Sequence, residues 1–186
     1  MKGIVFTEFL ELVEDQFGYD IADDLLEQTD LPSGGVYTAV GTYHHSEIIA
    51  LVVGLSKKTG IEVAALVEAF GTHLFGRFVE MYPIFFEGIT NTLDFLRTID
   101  RHIHVEVRKL YPDASLPRFT YEEKGDDELV MIYESERPFA DLARGLIKGC
   151  AAHYGEDLDI HEADESTDEL TRVRFTLVRT HVTAAA

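Results

Sequence analysis

The sequence has few of the residues that stabilise or anchor several common classes of protein. It contains one cysteine, Cys150, and no tryptophan among 186 residues. A single cysteine cannot form an internal disulfide, nor a zinc site built on several thiolates. We therefore expect Cys150 to be a buried, unreactive packing residue.

Basic residues and long apolar runs are also scarce. Lysine and arginine total 16 against 34 acidic residues, which gives a net charge of −18 at pH 7. This balance argues against binding nucleic acid or an anionic membrane through a broad basic surface. No 18-residue apolar stretch occurs, and acidic residues soon interrupt the opening MKGIVFTEFLELVEDQFG. We expect neither a membrane span nor a signal peptide, and hence a cytoplasmic protein.

The residues that are present favour one folded domain over residues 1–186. Hydrophobic residues make up 46% of the chain, enough for a sizeable core at this length. Helical patterns fill about residues 1–112, and about residues 113–182 carry mostly strand patterns with one interposed helix. Helices followed by about four antiparallel strands predict an α+β fold.

Local signals predict where several helices begin. Thr7 is a candidate cap for the first helix, and Ser46 for the helix that ends before Gly60. Pro138 suits the first turn of the late helix. The stretch NTLDFLRTIDRHIHVEVRKLY, 91–111, reads as one continuous amphipathic helix.

The stretch MIYESER places three hydrogen-bond donors at alternate positions of a predicted strand. Tyr133, Ser135 and Arg137 would lie on one face, because strand side chains alternate between faces. A phenol, a hydroxyl and a guanidinium match a planar anion or two neighbouring carboxylates. The simpler alternative is an exposed strand face that binds nothing.

One histidine lies close to an apolar helix face. His102 and His104 are about 200° apart around a helix axis, so they cannot bind one ligand together. His104 lies near the face formed by Ile99, Ile103 and Val107. A lone histidine there is more often a satisfied core residue than a ligand. Beside the carboxylate-binding donors, however, it would suit haem, with iron on the imidazole and propionates on the donors.

Together these residues resemble the H-NOX family, the haem nitric oxide/oxygen-binding domains related to the haem domain of soluble guanylate cyclase. The family's Tyr-x-Ser-x-Arg signature, which binds the haem propionates, is complete as Tyr133, Ser135 and Arg137. The family's proximal histidine precedes a Tyr-Pro dipeptide by seven residues, which selects His104 as the iron ligand. Pro117 matches the proline that presses on the porphyrin. The resemblance implies non-covalently bound haem b, and it places this haem between the helical part and the sheet.

The resemblance also bears on which gas is bound. Oxygen-binding members have a distal tyrosine five residues after the motif arginine, and here that position is Leu142. Whether His73, next to Leu74, reaches the distal pocket is open on sequence alone. The resemblance therefore implies a sensor of nitric oxide, which also binds carbon monoxide. The other positions that match the distal wall are all apolar: Val5, Phe9, Leu74, Phe78 and Leu146.

The family's mechanism would be binding of nitric oxide to ferrous haem, breakage of the iron–His104 bond and a shift of the helical part. The resemblance implies no enzymatic activity and a monomer. Its partner would be a separate histidine kinase or a cyclic-di-GMP enzyme, either a diguanylate cyclase or a phosphodiesterase. Two alternatives remain open: an oxygen-binding or redox-sensing haem protein, and a non-haem module that binds carboxylate ligands. A haem enzyme is disfavoured, because the expected distal wall lacks acid–base groups.

Overall fold

The computed structural model describes residues 1–180, which form helices followed by one four-stranded sheet. This order confirms the predicted α+β class. Residues 181–186 of the predicted single domain lie outside the described residues. Within residues 1–180 no helix combines the length and hydropathy needed to cross a bilayer. The elements are α1 (Gly3–Phe17), α2 (Tyr19–Gln28), α3 (His45–Thr59), α4 (Val63–Met81), α5 (Thr92–Thr98), α6 (His104–Leu110), β1 (Arg118–Glu123), β2 (Glu128–Ser135), α7 (Ala140–Tyr154), β3 (Asp157–Asp164) and β4 (Thr171–Thr180).

The sheet is antiparallel throughout, with the strand order β1-β2-β4-β3. In β4 the alternating residues Val173, Phe175 and Leu177 are buried, as expected for a strand with one face on the core. Across the ladder from Val173 and Phe175 lie Tyr133 and Met131 of β2. One face of the sheet is therefore apolar and packs against helices.

The buried apolar side chains form two clusters. The sheet-side cluster joins the inner sheet face to α4, α5 and α7, and includes Phe75, Phe95, Ile147 and Phe175. The helical cluster joins α1 to α4 and includes the buried residues Phe6, Phe9, Val13, Leu25, Leu51 and Leu74. Leu146 of α7 is partly buried and packs against both clusters. The α4–α7 pair therefore lies where the helical part meets the sheet part.

Two glycines allow α4 and α7 to touch through their backbones. A Cβ atom added to Gly145 would lie 2.1 Å from the Glu68 carbonyl oxygen and 2.9 Å from the Gly71 Cα. The Thr72 hydroxyl also donates a hydrogen bond to the Gly145 carbonyl, at 3.1 Å. Only residues without side chains fit this contact.

The prediction that Thr7 caps the first helix is wrong, because α1 begins at Gly3. The amides of Gly3 and Ile4 donate to the carbonyls of Gly41 and Ala39, at 2.8 and 2.9 Å. A distant loop thus supplies the acceptors that a capping side chain would otherwise provide. Thr7 instead donates its hydroxyl proton to the Ile4 carbonyl within the helix.

Two other helices also begin elsewhere than predicted. The cap of α3 is His44, whose Nδ1 accepts a hydrogen bond from the Ser46 amide at 3.3 Å. The late helix α7 begins at Ala140, because Phe139 first closes a turn by donating its amide to the Arg137 carbonyl. Pro138 therefore precedes the helix instead of lying in its first turn. The predicted end of α3 at Gly60 is confirmed, with Gly60 left-handed.

The stretch predicted as one helix over 91–111 is helical but not regular. A π-helical segment, Ile99–Ile103, separates α5 from α6. A π-helical segment departs from the regular hydrogen-bond pattern of an α-helix, and such segments occur frequently at functional sites. His104 is the first residue after this segment.

We predict that Gly145→Ala lowers the free energy of unfolding by about 1–3 kcal/mol, because the added methyl group forces α4 and α7 apart. Urea-induced unfolding of the purified protein measures the change. Gly76→Ala is the matched control in α4, since a Cβ there meets nothing within 4 Å. That control should be neutral or stabilising by about 0.5–1 kcal/mol. Equal effects of the two substitutions would contradict the close-contact interpretation.

Candidate functional site

His104 is buried, with 8% of its surface exposed, whereas His102 is exposed. The ring centroid of His104 lies 5.7 Å from that of Phe119 in β1. The structure therefore buries the histidine that the Tyr-Pro spacing selected, at the junction between the π-helical segment and β1. Pro117 is half-buried and lies two residues before Phe119.

Asp100 fixes the orientation of the His104 ring. Its Oδ1 lies 3.3 Å from His104 Nδ1 and also accepts the Phe119 amide at 3.5 Å. A proton on Nδ1 that is donated to this carboxylate leaves the lone pair on Nε2. Within residues 1–180 the ring forms its hydrogen bond through Nδ1 and none through Nε2. An imidazole oriented in this way by a carboxylate is a typical metal ligand.

Burial lowers the pKa of His104, and the nearby Asp100 carboxylate opposes part of this shift. Burial disfavours the charged imidazolium, and a neighbouring negative charge favours it. The net direction is downward, so the ring is neutral near pH 7. A neutral imidazole is the form that binds a metal ion.

The three donors of MIYESER do not form an evenly spaced row, because β2 ends at Ser135. The Tyr133 hydroxyl donates to the Arg137 carbonyl at 3.3 Å, and Ser135 Oγ accepts the Arg137 amide at 3.0 Å. The predicted alignment of all three side chains on one strand face therefore does not extend to Arg137, since these bonds turn the chain before Pro138. They nevertheless keep the three side chains close together, and burial raises the pKa of Tyr133, which remains a donor.

The Arg137 guanidinium has no carboxylate partner among residues 1–180. It is half-buried and donates only to the Ser115 carbonyl, at 3.4 Å. Arg172 and Arg174, by contrast, each pair with glutamates on the sheet. An unpaired guanidinium in a strongly acidic chain is available to an anionic ligand.

The six residues predicted for the distal wall are brought together by α1, α4 and α7. All six belong to the helical cluster or pack against it: Val5, Phe9, Leu74, Phe78, Leu142 and Leu146. Phe9 and Leu74 are fully buried, and the other four are partly buried. The structure thus forms one apolar surface from residues far apart in the sequence.

His73 lies beside this surface and faces a buried carboxylate. Its Nε2 is 3.7 Å from Glu8 Oε2, which also accepts a 2.7 Å hydrogen bond from Arg77 Nε. His73 and Arg77 are four residues apart on α4, while Leu74 and Phe78 form the adjacent stripe. His73 Nε2 therefore lies towards Glu8, but at 3.7 Å it forms no hydrogen bond, and within residues 1–180 this buried nitrogen has no hydrogen-bond partner.

These parts fit a haem group in chemical terms. One neutral imidazole suits an iron ion, an apolar surface suits a porphyrin ring, and an unpaired arginine suits carboxylates. His104 borders the sheet-side cluster through Phe119, whereas the distal residues belong to the helical cluster. This fold and this site are those of a ligand-binding domain whose site lies where the helical cluster meets the sheet-side cluster.

Comparison with known proteins identifies the family. The haem-NO-binding family matches residues 2–162, and the chain therefore belongs to this family of haem-based gas sensors, the H-NOX domains.

Solved structures share both fold and sequence with the chain. It is 38% identical to an H-NOX protein from K. algicida in its Fe(II) unliganded form, with 100% of both chains covered and a TM-score of 0.92. It is 44% identical to the H-NOX from Shewanella woodyi, solved with IWP-051 bound in the Fe(II)CO state. That match covers 100% of this chain and 97% of the other, with a TM-score of 0.84.

Sequence reasoning missed two features of the site. The π-helical segment leaves no simple periodic signal, because its residues continue an amphipathic helix pattern. The Asp100–His104 bond was accessible, since aspartate and histidine four residues apart meet on a helix. Its contact with the Phe119 amide was not accessible, because that contact joins two elements of the fold.

We predict that the His104 ring of the haem-free protein titrates below the ordinary histidine value of 6.5 and that Asp100→Ala lowers its pKa further. Removing the carboxylate leaves burial unopposed, so the charged form becomes less favourable. A histidine with a lowered pKa contributes stability above about pH 6.5, and this contribution is lost as pH falls through the lowered value. NMR titration of the His104 ring protons measures both values.

The matched control is Glu106→Ala, because Glu106 lies on α6 and pairs with Lys109 at the surface. This substitution should leave the His104 titration nearly unchanged. A higher His104 pKa in Asp100→Ala than in the unmodified protein would contradict the assigned role of Asp100.

Proposed function

We propose that this chain is a nitric oxide sensor that binds haem b, with His104 as the iron ligand. The observation that carries the proposal is the buried, neutral His104, whose Nδ1 is held by Asp100 and whose Nε2 is free for a metal. Its position directly after a π-helical segment places the ligand on a stretch of helix that is not regular. Bound haem would supply a ferrous iron that binds nitric oxide, and His104 would be the residue that holds this iron and releases it in response.

Tyr133, Ser135 and Arg137 hold the haem propionates in this proposal. Arg137 supplies a charge-assisted pair, which is stronger than a neutral hydrogen bond. The hydrogen bonds from the Tyr133 hydroxyl to the Arg137 carbonyl and from the Arg137 amide to Ser135 Oγ support this role, because they hold the three residues of the motif together. Pro117, just before β1, presses on the porphyrin.

The apolar distal surface accounts for the choice of gas. Bound dioxygen carries partial negative charge and needs a hydrogen-bond donor, and Leu142 offers none. His73, the polar residue next to Leu74 that could donate a hydrogen bond, lies towards Glu8. Nitric oxide and carbon monoxide need no such donor. The S. woodyi relative was solved in the Fe(II)CO state, which supports carbon monoxide as a second ligand of this chain.

Release of His104 would free α6, whose end is tied to the start of α1. Lys2 forms an ion pair with Asp113 at 3.1 Å, and its ammonium lies 4.7 Å from the centre of the Tyr111 ring. A displacement of α6 would therefore reach the N-terminal helices. The partner that reads this change would be a histidine kinase or a cyclic-di-GMP enzyme, and the sensor itself would act as a cytoplasmic monomer without enzymatic activity.

The first test is the absorption spectrum of the reduced, haem-loaded protein, recorded without air, then in air, then with nitric oxide. We predict that air leaves the ferrous band in place and that nitric oxide moves it to shorter wavelength as His104 is lost. A stable spectrum of an oxygen complex would favour the oxygen-binding alternative. A protein that holds no haem would instead favour the non-haem carboxylate-binding module.

The second test is Arg137→Ala, which we predict speeds haem loss by roughly tenfold, because it removes the charge-assisted pair with a propionate. Transfer of haem to excess apomyoglobin measures the rate. Arg118→Ala is the matched control, since Arg118 is exposed at the start of β1. Equal rates for the two variants would exclude the proposed role of Arg137.

A further inference from the structure

Positive groups from separate parts of the chain interact electrostatically with Arg137. The Met1 amino group donates to the Tyr43 carbonyl at 2.7 Å, and His45 begins α3 two residues later. Burial lowers the pKa of the Met1 amino group, and Arg137 and Lys2 lower it further. Such crowding of cations is unexpected in a chain with a net charge of −18.

His45 is the member of this group whose ring makes aromatic contacts but no hydrogen bond within residues 1–180. Its ring centroid lies 6.4 Å from that of Phe139, edge to face, and Phe139 follows Arg137 by two residues. The adjacent His44 ring is 4.5 Å away and is itself held by Ser46 through Nδ1. Neither ring nitrogen of the half-buried His45 has a hydrogen-bond partner in the described part of the chain.

The charges that act on His45 are positive, and Glu47, the acid in the first turn of α3, is already bonded to Ser33 and Tyr37. Burial lowers the pKa of His45 most, followed by the charges of Arg137, His44 and the Met1 amino group. The neighbouring acid Asp113 is paired with Lys2. The first turn of α3 adds the partial positive charge of a helix N-terminus. An anion placed between His45 and Arg137 would therefore relieve repulsion that the free protein bears.

We propose that His45 is a second anion-binding residue of this site and that its protonated ring donates a hydrogen bond to a cofactor carboxylate beside Arg137. The inference rests on the proposed haem site and adds to it a residue outside the Tyr-x-Ser-x-Arg motif. Haem binding is then coupled to proton uptake, because a neighbouring carboxylate raises the pKa that the surrounding cations had lowered. The contribution of His45 is complete at low pH and is lost as pH rises through the raised value.

The experiment compares haem loss from the unmodified protein, His45→Gln and His161→Gln, using excess apomyoglobin as acceptor. His161 is an exposed histidine of β3 and serves as the control. At about pH 6 we expect His45→Gln to lose haem roughly three to ten times faster than the other two proteins, and this ratio should shrink towards one by about pH 8. Protonation of His104 affects all three proteins alike, so the ratio isolates His45.

A second measurement is independent of the variants. In the diamagnetic carbon monoxide complex, the His45 ring protons should titrate at a higher pH than in the haem-free protein. A ratio that stays constant with pH, or an unchanged His45 titration, would overturn the inference while leaving the haem site intact. Failure of the unmodified protein to hold haem would overturn the proposed function, and with it this inference.

Discussion

The hydrogen bond between Asp100 and His104 links the parts of the molecule on which the proposed function depends. Asp100 lies in the π-helical segment, His104 opens α6, and the same carboxylate oxygen accepts the Phe119 amide of β1. One oxygen atom thus connects the helical part to the sheet. It also selects the imidazole tautomer, since a proton on Nδ1 leaves Nε2 free.

Partial burial distinguishes Arg137 from the other arginines that lack an acidic partner within residues 1–180, namely Arg101, Arg108 and Arg118, which are all exposed. Most arginines of the sheet and helices are paired with acidic residues, as Arg144 is with Glu68 and Glu162. Arg137 and His45 have no such partner within residues 1–180, although the chain has twice as many acidic as basic residues. Unpaired cations that are partly withdrawn from water are costly unless a ligand compensates them. This isolation agrees with a site for carboxylates.

Much of the fold could be predicted from sequence because burial imposes simple periods. Val173, Phe175 and Leu177 alternate in β4, and the apolar stripe of α1 contains Phe6, Phe9 and Val13. Helix starts were predicted less well, since the amides of α1 find acceptors in a loop near residue 40. The π-helical segment was missed for a related reason: its residues keep an amphipathic pattern, and only contacts with other elements distinguish it from a regular helix.

The sequence by itself determined the fold class, and through the family resemblance it predicted His104 over His102 as the iron ligand and a set of apolar residues for the distal wall. Those choices depend on composition, on spacing along one helix and on residue type, all of which are local. Tertiary structure alone decided that His73 faces Glu8, that Asp100 also accepts the Phe119 amide of β1, and that the His45 ring packs against Phe139. These pairings join residues far apart in the chain, and their distances follow from how the helices pack on the sheet.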